Sequence, residues 1–153
     1  MISELYNALT DALKNIKDGD GEDASRLIRH IDLWNQNVTF IEDESPWPRP
    51  AVFIEFGEVS WTSLGGAKKL LTGSCPVILH VVTDWKGGTA DGEQTRDASV
   101  ASMDLSERIS AEVLRATGGS FHNIRLISSI PNHNHEDIVE CIERYAVTIE
   151  RTI

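Results

Sequence analysis

Basic residues are scarce in this chain: 14 lysines and arginines stand against 24 acidic residues, a formal charge of −10 at neutral pH. A surface of that sign repels phosphate backbones and anionic headgroups, which argues against ordinary nucleic-acid binding and adhesion to anionic membranes. It does not exclude a surface that nucleic acid slides past without sticking. Cysteine is nearly absent too. Cys75 and Cys141 are too far apart to read as a disulfide scaffold, so reduced thiols and synthesis in the cytoplasm are expected. No apolar run approaches the ~20 residues that span a bilayer. The first residues lack the basic and apolar regions of a targeting leader. Also missing are a Gly-rich phosphate loop, a G-x-S-x-G elbow, an H-E-x-x-H pair and internal repeats. Without a catalytic signature, no enzymatic activity is expected.

What the chain does have is centred on Trp47–Trp85, which holds its two most strand-like runs, Ala51–Trp61 and Cys75–Thr83. Both are rich in the Val, Ile, Phe and Trp that suit a pleated, half-buried surface. Pro46, Pro48 and Pro50 each hold the preceding residue extended, so the chain enters the first run straight. At about 3.3 Å per residue an unbroken Ala51–Trp61 strand spans roughly 36 Å. A compact domain of this length is only about 40 Å across. The turn Thr62–Lys69 therefore reaches the surface or beyond it. Gly65-Gly66 give that turn freedom, while Trp61, Leu64, Leu70 and Leu71 flank it with apolar bulk, and Lys68 and Lys69 supply a charged rim. Either the tip folds back on its own domain or a partner covers it. An apolar centre with a charged rim has the anatomy of an interface, which makes these six residues the candidate contact to a neighbouring copy.

Elsewhere the pattern alternates between helix and strand. Leu5, Ala8, Leu9, Ala12, Leu13 and Ile16 predict an amphipathic helix over Ile2–Ile16, with Ser3 as N-cap. Asp18–Asp23 lacks the glycine and glutamate spacing of a calcium loop and reads as a solvated acidic turn. Arg26–Trp34 fits a helical face through Leu27, Ile31 and Trp34 or a strand face through Leu27, Ile31 and Leu33; the turn at Asn35–Asn37 and the extended Val38–Ile41 after it favour the strand. Pro76 is expected at a strand start, a bulge or an edge. His80, inside VILHVV, has no titratable neighbour in sequence and reads as a half-buried sheet residue. A helix is predicted over Asp97–Thr117, capped by Asp97 and stopped by Gly118-Gly119. Strands Asn123–Ile130 and Ile138–Arg151 follow. The second alternates, with Val139, Cys141, Tyr145, Val147 and Ile149 on one face and Glu140, Arg144, Thr148 and Glu150 on a wetter one. Between them, His133 and His135 in NHNHED are the weak metal candidates, but third and fourth ligands are not evident and the segment reads as a polar turn.

These elements add up to a single α+β domain over residues 1–153, an antiparallel sheet with a long β-hairpin and two packed helices. The leading helix with LYNALTDAL, the proline-led PRPAVFIEF, the descending arm GSCPVILHVVTD and the closing ERYAVTIE together resemble the tail terminator, or tail completion, proteins of long-tailed bacteriophages and prophages. The resemblance covers nearly the whole chain. It implies a structural protein made in the host bacterial cytoplasm and carried in the virion tail, with no cofactor and no catalytic residues. Such a protein forms a ring of identical subunits, a hexamer, that caps the tail tube, stops its growth and joins it to the head connector while DNA passes unbound. Two other readings stay open: another neck or tube component of a phage-like injection machine, and a cytoplasmic metal- or ligand-binding domain or enzyme using His80, His133 and His135.

Overall fold

The computed structural model describes residues 2–35, 47–67, 69–84, 90–92, 94, 104–132 and 138–153. The expected Val38–Ile41 segment, the Asp97 cap, Lys68, His133 and His135 lie outside them. The architecture is α+β, with two helices and eight strands among the described residues: α1 (Ile2–Lys14), β1 (Lys17–Asp18), β2 (Ser25–Arg26), β3 (His30–Leu33), β4 (Ala51–Phe56), β5 (Ser60–Gly65), β6 (Leu70–Asp84), α2 (Leu105–Val113), β7 (Phe121–Asn132) and β8 (Ile138–Thr152). No described helix is long and apolar enough to cross a membrane.

The sheet is built on β6. On one edge β8 runs antiparallel along all of it, from Leu70↔Thr152 to Asp84↔Ile138. On the other edge two strands share its length: β4 pairs with Val77–Val82 and β5 with Leu70–Ser74, both antiparallel. The expected continuous strand Ala51–Trp61 is thus two strands, broken at 57–59. Pro76 supplies the reason. Its carbonyl accepts the Gly57 N–H at 2.8 Å, so its backbone faces the β4/β5 edge, where a proline has no N–H to return. The ladder lapses where the donor is missing. Pro76 therefore lies within β6, not at its start; β6 begins at Leu70. Beyond β4, β3 joins in parallel, and beyond β8, β7 joins antiparallel with register shifts at His122/Arg125 and Leu126/Ser128.

One face of the sheet carries the main core. Val52, Ile54, Cys75, Val77, Leu79, Val81, Tyr145, Val147 and Ile149 pack under Leu5, Leu9 and Leu13 of α1 and Leu105, Ile109 and Val113 of α2. Both helices present one apolar stripe to it, as their three- and four-residue spacing requires. The opposite face has a smaller cluster of Ala51, Phe53, Val82 and Ile138, covered by Trp34 and Trp47.

Several boundaries differ from expectation. Since α1 already includes Ile2, Ser3 sits inside the helix and is not its N-cap. Glu4, in the first turn, instead reaches across to the segment ahead of β7. It accepts the Gly119 N–H and, through Oε2, the Ser120 hydroxyl at 2.7 Å. The described part of the second helix is Leu105–Val113, with Leu114 as C-cap. Gly118-Gly119 therefore do not stop it. Gly118 serves a close approach: a Cβ there would lie 2.2 Å from the Phe121 ring. The wetter face expected for β8 is not wet throughout. Glu140 is only 4% exposed, for a reason seen below.

Candidate functional site

The broken β4–β5 edge leaves the far end of the hairpin standing clear of the core. Apart from half-buried Trp61, every residue of β5 is exposed, and β5 pairs with β6 alone among the described residues. Gly65 and Gly66 take φ of 78° and 93°, a left-handed turn that a side chain resists. The five described tip residues divide. Trp61 packs against its own core, with the Arg151 guanidinium 5.9 Å over its ring. Leu70 and Leu71 are half-buried by pairing with both neighbours. Leu64, at 57% exposure, and Lys69 face outward. The tip's base is thus part of the domain and its crest is free. Ile153 N–H donates to the Lys69 carbonyl at 3.0 Å, which ties that crest to the last strand.

The opposite edge of the sheet is also open, which the sequence reading missed. β7 pairs with β8 alone among the described residues, and it exposes Leu126, Ile127 (61%) and Ile130. A long free edge bearing apolar side chains normally invites pairing with another chain. Two register shifts and Pro131 interrupt this one, so a backbone ladder is discouraged while side-chain contact is not. The adjacent pair Leu126-Ile127 was the available signal. In an extended strand consecutive apolar residues must point to opposite faces, and only one face of this sheet is cored there.

His80 also has a different setting from the one expected. Its ring lies in the sheet face opposite the helices, with Nδ1 2.9 Å from Glu140 Oε1 and Nε2 2.8 Å from Glu55 Oε2. The Trp34 indole stacks on it at 3.6 Å between centroids and 13° between planes. Glu55 and Glu140 stand diagonal to it on β4 and β8, 25 and 60 residues away, a neighbourhood no local pattern reveals. The network links three strands, and Trp34 covers its imidazole. Two clefts on the described surface are lined by none of its members. No group of three or more metal-ligating side chains forms among the described residues.

On the helix side, burial pushes the Cys75 and Cys141 thiols up from their ordinary range. That is the setting of structural thiols, not reactive ones. Glu143, 3% exposed, accepts from the Ser129 hydroxyl and from Cys141 Sγ at 3.7 Å. No protein-family model matches this chain, and a search of curated proteins finds no match.

Proposed function

We propose that the chain is a ring-forming structural subunit, a tail terminator of a long-tailed phage or prophage, with six copies closing around the end of the tail tube. One observation carries the reading: among the described residues the β5 crest with Leu64 and the β7 edge with Ile127 are unlike edges, each paired on one side alone and lying on opposite sides of the β6–β8 pair. An edge that fits a different edge makes a head-to-tail contact. Head-to-tail contacts with rotation close into rings, whereas one self-complementary patch stops at a dimer. Lys69 at the crest meets acidic surface on any identical neighbour, so charge complementarity needs no second protein. The resemblance to tail terminators supplies the tube and the head connector as the partners above and below the ring, with DNA passing a lumen too acidic to hold it.

The test pairs two measurements on the same variants. Lys68→Glu with Lys69→Glu, and separately Leu64→Asp, should abolish assembly into rings or capping of tubes. Melting temperature should change little, because the exposed positions Leu64 and Lys69 contribute at most about 1 kcal/mol to folding. Rings that survive both changes, or subunits that unfold with them, contradict the proposal.

A further inference from the structure

Four of the chain's 14 basic residues converge on one cleft of about 460 Å³. Arg26 comes from β2, Arg29 from the link between β2 and β3, Arg49 from the approach to β4, and Arg108 from α2. Among the described residues, Asp18 and Asp84 are the carboxylates in the wall, so four permanent positive charges there meet two negative ones in a molecule whose net charge is −10. Two of the arginines are held in place. Arg49 is ion-paired to Asp84, and its guanidinium lies 5.9 Å over the Trp47 ring. Arg108 donates to the Lys17 carbonyl at 2.8 Å. Arg26 and Arg29 form no ion pair among the described residues and are exposed to the cleft's solvent. Leu105, the first residue of α2, also lines the wall, and the Asp104 side chain makes no capping bond to the helix.

We infer that this cleft binds a small phosphate-bearing anion, with Arg26 and Arg29 closing on phosphate oxygens against the fixed walls of Arg49 and Arg108. Guanidinium forks match paired phosphate oxygens, and the volume falls in the range of small-ligand sites, about 300–1,000 Å³. The same chemistry is present in a nucleic-acid backbone, but size separates the two sources. A small anion meets only the cleft, whereas a duplex must also lie against the acidic surface around it. The site owes nothing to ring formation.

Calorimetric titration of the full chain at low ionic strength tests it, with sodium pyrophosphate in one arm and a short duplex DNA in the other. One pyrophosphate should bind per chain. Arg26→Ala with Arg29→Ala should weaken binding by at least about tenfold, the loss of charge-assisted contacts from two guanidinium groups. The single changes Arg26→Gln and Arg29→Gln should show the loss in smaller steps, and Arg125→Ala on β7 should bind like the wild type. Melting temperature should stay unchanged in all of them, since these side chains are exposed. No saturable pyrophosphate binding, or binding that the double variant retains, overturns the assignment. Preference for duplex over pyrophosphate overturns it too, because the arginines would then form a nucleic-acid track. Binding is read on single chains, so the result stands whether or not rings form.

Discussion

His80 shows how one side chain can fix three strands. Its imidazole is 7% exposed and Glu140 4%, so the pair sits where a charge without its partner is costly. His80→Ala should destabilise the fold by about 3 kcal/mol or more by leaving Glu140 buried without the imidazole N–H. Adding Glu140→Gln should recover part of that loss, and denaturant unfolding measures both. A single-variant cost below about 1 kcal/mol would show the network to be dispensable. Tyr145 is the converse case. Its ring is buried, and its hydroxyl has no hydrogen-bond partner among the described residues. Burial first, then Glu143 and Cys141, push its phenol well above the ordinary value of 10.0. Stability is therefore complete below that value and falls as pH climbs past it, because the unfolded chain ionises first. Tyr145→Phe should be neutral or stabilising by about 1 kcal/mol at pH 7 and should remove this share of the alkaline loss. Thermal melts from pH 8 to 11 read both effects.

At the scale of elements, Glu4 joins the start of α1 to the start of β7. The Ser120 hydroxyl first, then the Gly119 N–H, hold its carboxyl below the ordinary value of 4.5. The link's contribution is present above that value and is lost as pH falls through the lowered one. Glu4→Gln should flatten the acid side of the stability curve while leaving stability at neutral pH less favourable; unchanged acid melts would disprove the link. The elements themselves were largely legible. Helical spacing located α1, and alternation located the Tyr145–Ile149 part of β8, because each element buries one face in the main core. The break between β4 and β5 was not legible, since it depends on where Pro76 meets its neighbour across the sheet. Nor was the burial of Glu140, which depends on His80 and Trp34, or the open edge of β7, which depends on strand order. Contacts between distant segments leave little trace in local pattern. The hairpin crest was legible as an exposed turn, but the inward packing of Trp61 was not.

At the scale of the whole molecule, the proposed ring requires two different edges of the same chain to meet head to tail. Leu64 and Ile127 mark those edges, at 57% and 61% exposure. Leu64→Asp disables one edge and Ile127→Asp the other, so neither variant can assemble alone. Mixed in equal amounts, they retain one intact contact between unlike subunits and no means of extending it. Sedimentation equilibrium across a wide concentration range measures this directly. Wild type should reach six times the 17.0 kDa of the chain, each variant alone should remain at 17.0 kDa, and the mixture should stop at a one-to-one pair. A variant that assembles by itself, or a wild type that stays monomeric or stops at a dimer, would contradict the account.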